Sequence, residues 1–177
     1  LTVALPVLSA MGVQVSCLPT AVLSTHTGGF QGYTFRDLTE DMRPTVDHWR
    51  DIGAEFDAIL VGYLSSPQQA HWVDYLWDRF DGLRILDPAM GDHGKLYSRI
   101  TPEHIDAMKR LAARADVILP NLTEAAFLTG MPYREQCDGT YLIEMAEALC
   151  DFGAKGVIIT GITWDPGYTG WAGMLSG

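Results

Sequence analysis

Four short apolar runs recur along the chain, at residues 57–62, 83–87, 116–119 and 156–160, and stretches with helical spacing separate them. Each run is rich in Ile, Leu and Val and is too short for an ordinary helix. Between them, Val73, Leu76, Trp77 and Phe80 fall on one helical face after Ser66-Pro67. Ile105, Met108 and Leu111 do the same after Thr101-Pro102-Glu103. Continuous apolar strands alternating with amphipathic helices form parallel neighbours joined by right-handed crossovers. The expected fold class is therefore α/β, a doubly wound, mostly parallel sheet with helices on both faces, in one domain over residues 1–177.

Local signals set the remaining elements. Ala4, Val7, Leu8 and Met11 have helical spacing, Pro6 is tolerable only near a first turn, and Gly12 can end that helix. The chain thus opens inside a helix and without an initiator Met, so an upstream piece is expected to precede it. Residues 13–18 and 21–23 read as strand pieces broken by Pro19, and 26–32 as a Gly-rich flap. A helix is expected from after Pro44 to about Phe56, and another from about Thr140 to Phe152. Asn121 opens a short helix to Leu128 that Gly130 ends. Residues 156–160 are the last clear strand. Trp49, Trp72 and Trp77 sit at packing positions of helices.

Charge narrows the function. A net charge of −10 disfavours nucleic acid as a partner, because a phosphate backbone needs a basic face. An acidic protein that handles a polyphosphate needs a metal ion to screen it. No apolar run approaches the roughly 20 residues of a membrane span, and the first residues carry no signal-peptide pattern. Cys17, Cys137 and Cys150 are scattered and have no metal-ligand spacing, which suits buried thiols in a reducing, cytoplasmic setting.

Ligands of open α/β sheets bind outside the carboxyl ends of the strands. The residues that follow the apolar runs are 24–27, Gly62-Tyr63, Asp87, Pro120-Asn121 and Thr160-Gly161. One sheet edge would collect hydroxyls, an amide, an aromatic and a carboxylate, although loops start with polar residues in any case. In Asp87-Pro88-Ala89-Met90-Gly91-Asp92 a tight turn can return Asp92 beside Asp87, where two carboxylates call for a cation such as nucleotide-borne Mg²⁺. A plain turn with a solvated Asp92 also satisfies that spacing. Asn121-Leu122-Thr123-Glu124 reads as a capping box, and a helix start facing phosphates would also bring Glu124 near a hydrated metal. Tyr63 can stack on a flat ring or pack in the core. His26-Thr27-Gly28-Gly29 has no partners for a hydrolytic triad. Neither a G-x-x-x-x-G-K-[ST] loop nor a G-x-G-x-x-G turn occurs.

These segments together resemble those of pyridoxal kinases, members of the ribokinase-like superfamily. The resemblance rests on residues 23–28, Val61-Gly62-Tyr63, Asp87 to Asp92, and Pro120 to Ala125, in that order, and it extends from Leu1 to about Thr160. The Asp-Pro-x-x-Gly-Asp and Asn-x-x-Glu motifs mark the superfamily, while His26-Thr27-Gly28 with Gly62-Tyr63 points to pyridoxal kinase. The resemblance implies transfer of the γ-phosphate of ATP to the 5′-hydroxymethyl of pyridoxal, pyridoxine or pyridoxamine, with ATP and Mg²⁺ as cofactors. It implies that Leu23, Thr27 and Tyr63 hold the vitamer ring. Asp87, Asn121 and Thr160 would face the nucleotide and its phosphates, Tyr97 would belong to a lid over ATP, and Asp92 and Glu124 would serve the metal. A homodimer is common in the family.

Departures from the family pattern accompany these matches. The family's Gly-x-Gly-Asp segment, which supplies the general-base aspartate, has no counterpart in the 177 residues, and neither has its first strand with a substrate-binding serine. By the resemblance, that aspartate is expected beyond Gly177. The domain is thus expected to be truncated at both ends, with no catalytic base in this chain and a sheet edge left unpaired. Leu119 and Gly161 stand where some members carry a threonine and a serine near a monovalent cation, which weighs against such a site. A kinase of the same superfamily acting on hydroxymethylpyrimidine or a sugar, and a fragment that only binds ligand, are the alternative readings.

Overall fold

Burial of the apolar runs organises the sheet. The computed structural model describes residues 2–25, 30–163 and 167–176. Strands β3 (Ala58–Val61), β4 (Leu83–Leu86), β7 (Val117–Ile118) and β8 (Gly156–Ile162) lie side by side in parallel, in chain order. Strand β9 (Gly170–Leu175) then closes one side antiparallel to β8. The expected α/β class and mostly parallel sheet are what the structure has. Ladder contacts continue past Pro120, which has no N–H to give, through a parallel bridge between Asn121 and Thr160.

Helices α3 (Pro67–Trp77), α4 (Pro102–Ala112), α5 (Leu122–Thr129) and α6 (Gly139–Cys150) fill the crossovers. Because β3, β4, β7 and β8 advance in one direction, right-handed crossovers place these helices on one face, and each packs on the next. Trp77, Leu111, Met145 and Leu149 from this layer meet Leu86, Ile118 and Ile159 of the sheet in a core where none is more than 1% exposed. The helix starts follow their sequence signals. Pro67 and Pro102 occupy first-turn positions, and Thr101 with His104 forms a capping box on α4. Gly130 ends α5 in the left-handed conformation, with φ 79°. On the opposite face of the sheet Leu60 and Leu83 are each 45% exposed.

Several boundaries differ from the sequence expectation. Helix α2 spans Thr39–Asp51, so Pro44 lies inside it rather than before it. Its start is set by Asp37, whose carboxylate accepts the Thr39 N–H at 2.8 Å, and by Glu40 and Asp41 in the first turn. Its end comes at Gly53, with φ 70°, short of Phe56. Residues 13–18 form no ladder, because a strand needs a neighbour to take its N–H and C=O groups and none runs beside them among the described residues. Helix α1 (Ala4–Ala10) buries none of its residues.

Strand β1 (Ala21–Leu23) pairs with an unanticipated β2 (Phe35–Asp37) as a separate antiparallel ribbon, not as part of the main sheet. Strand β9 was likewise not anticipated, and β8 runs on to Ile162 through an irregularity at Gly161, where φ is 72°.

A second small hairpin matters more for the site. Strands β5 (Gly91–Asp92) and β6 (Lys95–Leu96) are joined through His93 and Gly94, with φ 49° and 72°. Two positive φ values in a two-residue loop are the usual hairpin solution. A Cβ on Gly91 would lie 2.4 Å from the Lys95 carbonyl oxygen, a backbone atom that cannot swing away. Gly91→Ala should therefore lower unfolding stability by about 1–3 kcal/mol, the usual cost of overpacking. A denaturant midpoint equal to that of the wild type would show that the hairpin is not packed this way.

Candidate functional site

The carboxyl ends of the parallel strands gather the predicted residues. Asp87 leaves β4 with its N–H on the Val61 carbonyl at 2.8 Å, so it stays in register with the end of β3. Tyr63 follows β3, Asn121 follows β7, and Thr160 lies in β8 beside Asn121. The expectation of one polar sheet edge therefore holds for Tyr63, Asp87, Asn121 and Thr160. Ser24 instead extends the β1–β2 ribbon, with its N–H on the Thr34 carbonyl at 3.2 Å. Thr27, with His26, Gly28 and Gly29, lies outside the described residues. Gly177, beyond which the general-base aspartate is expected, lies outside them too.

The first turn of α5 grips the β5–β6 hairpin through three side chains. Asn121 accepts the Glu124 N–H at 2.9 Å and donates through Nδ2 to the Gly91 carbonyl at 2.8 Å. Thr123 accepts the Gly94 N–H at 2.8 Å. Glu124 accepts the Met90 N–H at 3.1 Å on one oxygen and the Asn121 N–H at 2.8 Å on the other. The capping box is thus real, and Glu124 serves the strand exit as well as the helix.

The electrostatics concentrate on the same few residues. Glu124 is 3% exposed, and burial pushes its carboxyl up to about 7, against the pull of the N–H groups of Asn121, Met90 and Gly91, while the Asp87 charge adds to the rise. Asp87 is also pushed up by burial, and among the described residues its carboxylate accepts no hydrogen bond. Tyr97 is tied to the hairpin by its N–H on the Met90 carbonyl at 2.9 Å. Its phenol is raised first by burial, then by the charges of Glu124, Asp92 and Asp87. Asp92 is exposed, and one of its oxygens accepts the His93 N–H at 2.8 Å. No group of three or more His, Cys, Asp or Glu side chains suited to hold a metal occurs among the described residues.

A second region lies beside this edge. The Tyr63 hydroxyl is buried with no hydrogen-bond partner among the described residues, and burial raises it further than the opposing field of Arg99 lowers it. Leu23 is half-buried at the end of β1, opposite Phe35. A cavity of about 540 Å³ opens between the ribbon and the segment after Tyr97, lined by Phe30, Gln31, Gly32, Tyr33, Phe35, Ser98 and Arg99. The Arg99 guanidinium lies 3.9 Å from the Phe35 ring centre, and the Tyr33 hydroxyl is 3.4 Å from that of Ser98. Sequence reasoning missed Tyr33, Phe35, Ser98 and Arg99. The only signal was an aromatic-rich flap and a cation after the hairpin, with no spacing that joins them.

Comparison with known proteins gives a consistent result. The phosphomethylpyrimidine kinase family model matches residues 5–170. A pyridoxine/pyridoxal/pyridoxamine kinase of Bordetella pertussis is 31% identical over 185 residues, covering 94% of this chain and 61% of the relative. A structure from Bacteroides thetaiotaomicron described as a phosphomethylpyrimidine kinase, in a crystal form with pyridoxal, superposes with a TM-score of 0.92 at 40% identity, over 99% of this chain and 63% of that one. Pyridoxal kinase from Lactobacillus plantarum superposes with a TM-score of 0.81 at 34% identity, over 98% and 66%. The chain spans about three fifths of the length of the curated relative from Bordetella. No helix among the described residues is long and apolar enough to cross a membrane.

The raised Glu124 carboxyl makes stability pH-dependent in a defined direction. Between its ordinary 4.5 and about 7 the folded state holds a proton that the unfolded state has lost. Its contribution is full below 4.5 and is lost as pH rises to about 7. In metal-free and nucleotide-free protein, the wild type should lose on the order of 3 kcal/mol relative to Glu124→Gln across that window. Parallel pH–stability curves for the two proteins would contradict the burial of a titrating Glu124.

Proposed function

The chain belongs to the phosphomethylpyrimidine kinase family, and on that premise we propose that the protein phosphorylates the 5′-hydroxymethyl group of pyridoxal and related vitamers with ATP, giving pyridoxal 5′-phosphate. The observation that carries the reading is the carboxyl edge where Asn121, Thr123 and Glu124 hold the exit of β4 and the β5–β6 hairpin, beside an Asp87 whose carboxylate accepts no hydrogen bond among the described residues. The Asp87 charge adds to the rise of Glu124, and two such acids near one another favour an incoming cation. Magnesium brought by a nucleotide fits these residues, since it binds hard oxygens, uses one or two carboxylates, and completes its shell with phosphate and water. Asp92 and Glu124 would hold it, directly or through water, and it would neutralise phosphate charge when bound.

The remaining residues have roles in this reading that follow from their places. Asn121 and Thr160, bridged side by side, would line the phosphates and nucleotide, and Tyr97 would cover them. Tyr63, whose buried hydroxyl awaits a partner, would meet the polar edge of the pyridine ring, with Leu23 and Thr27 completing that pocket. The relative from Bordetella, named for all three vitamers, supports a vitamer as the substrate.

Two substitutions separate the pockets in a calorimetric titration. Asp92→Asn should weaken Mg·ATP binding by about 10- to 1000-fold with little change for pyridoxal, the scale of losing a charge that serves phosphate and metal. Tyr63→Ala should weaken pyridoxal more than Mg·ATP, because ring contacts are local. The opposite pattern would mean that the two pockets are exchanged.

Chemistry requires one more group. The residues from Leu1 to Gly177 contain no Gly-x-Gly-Asp segment, and Glu124 spends both oxygens on backbone N–H groups. The chain by itself should bind both ligands yet turn over far below the roughly 1–100 s⁻¹ usual for kinases. Phosphorylation of pyridoxal near 1 s⁻¹ by these residues alone would place the base among them.

A further inference from the structure

A buried polar network ties the β1–β2 ribbon to the end of β3, and its centre is a glutamine outside every motif. Gln69 is 0% exposed in the first turn of α3. Its Oε1 accepts the Ser65 N–H at 2.7 Å. Its Nε2 donates to the Thr20 carbonyl at 2.8 Å and to the Thr39 hydroxyl at 2.9 Å. Thr20 in turn donates through its hydroxyl to the Tyr63 carbonyl at 2.9 Å. Asp37, paired with Ala21 at the same end of the ribbon as Thr20, accepts from the Ser65 hydroxyl and from the Thr39 N–H.

We propose that Gln69 is a positioning residue for the vitamer ring, setting the β1–β2 ribbon against Tyr63 through Thr20. The inference rests on the reading of Leu23 and Tyr63 as two walls of one ring pocket. Those walls belong to different sheets, and among the described residues no ladder joins the ribbon to the main sheet. Among the same residues, the hydrogen bonds between the ribbon with its flanks and residues 63–69 are those of this network. The Tyr63 hydroxyl adds nothing to them. The spacing of the walls therefore follows the backbone, which Thr20 and Gln69 hold at the end of the ribbon where Ala21 pairs with Asp37. A glutamine that only capped α3 would stop at the Ser65 N–H. This one also reaches Thr20, 49 residues earlier in the chain, and Thr39, 30 residues earlier. A buried amide with every polar atom engaged specifies one geometry, because any shift strands a donor or an acceptor.

The test compares Thr20→Val, which deletes the hydroxyl at near-constant volume, with Thr20→Ser, which keeps it, and with Gln69→Met. Dissociation constants for pyridoxal and for Mg·ADP are measured on the folded chain, together with amide hydrogen exchange over residues 20–37. Loss of one hydrogen bond that holds the Tyr63 carbonyl should weaken pyridoxal about 3- to 10-fold in Thr20→Val. Mg·ADP should stay within about 2-fold, and Thr20→Ser should return pyridoxal affinity close to wild type. Gln69→Met should act in the same direction more strongly, and if it does not fold, the Thr20 pair decides alone. Equal weakening of both ligands, no effect of Thr20→Val on pyridoxal, or failure of Thr20→Ser to rescue would overturn the positioning role. A wild type that does not bind pyridoxal would overturn the vitamer reading instead. In that event, faster exchange of the ribbon in Thr20→Val but not in Thr20→Ser still supports the clamp, and unchanged exchange removes it as well.

Discussion

A carboxylate buried on two backbone N–H groups holds the carboxyl edge of the sheet together. Removing a charge from water costs several kcal/mol, and two charge-assisted hydrogen bonds return only part of that. The balance for Glu124 appears as a carboxyl pushed up to about 7. In exchange, the exit of β4 at Met90 and the start of α5 at Asn121 are fastened to the same two oxygens. Asn121 and Thr123 add their own bonds to Gly91 and Gly94, so hairpin, strand exit and helix start behave as one body. Tyr97 joins that body through Met90.

Some acids at the strand ends are paired with cations and others are not. Near the amino ends, Arg114 reaches both Asp74 and Asp78 at 2.5 Å and Lys155 reaches Asp116 at 2.7 Å, while Asp57 and Asp81 are in no ion pair among the described residues. Asp116 also accepts the Arg84 N–H, which ties its carboxylate to the start of β4. At the carboxyl ends, Asp87 and Glu124 have no cationic side chain beside them among the described residues. Exposed pairs contribute little to stability individually.

The parallel strands and most helices were legible because each carries a local mark: an apolar run of strand length, a proline at a helix start, a glycine at a helix end. Asp87 to Asp92 and Asn121 to Glu124 were legible because tight turns and caps need particular residues at fixed offsets. Strand β2 was not, since a three-residue strand has too few positions to show alternation, and β9 contains two glycines that weaken its pattern. The sheet to which β1 belongs is a matter of pairing, which a single segment does not encode. The start of α2 was hidden because Pro44 reads as a boundary, while the N–H it lacks is one bond in a helix of 13 residues with buried Thr39, Met42 and Val46. Arg99 and Phe35 meet only because two loops approach in space. Gln69 shows the same limit, since its partners lie 30 and 49 residues away.

The crowding at Gly91 changes what the Asp-Pro-x-x-Gly-Asp motif means. Its glycine answers to a carbonyl of the facing strand, at a distance that any side chain would violate. Its first aspartate marks where a parallel strand stops, and its last marks where a two-residue loop begins. Read this way, the motif is an architectural signature. It announces a hairpin folded over a helix start. The ribbon and its clamp are built from scattered residues, Thr20, Asp37, Thr39, Ser65 and Gln69, which no compact string of letters records.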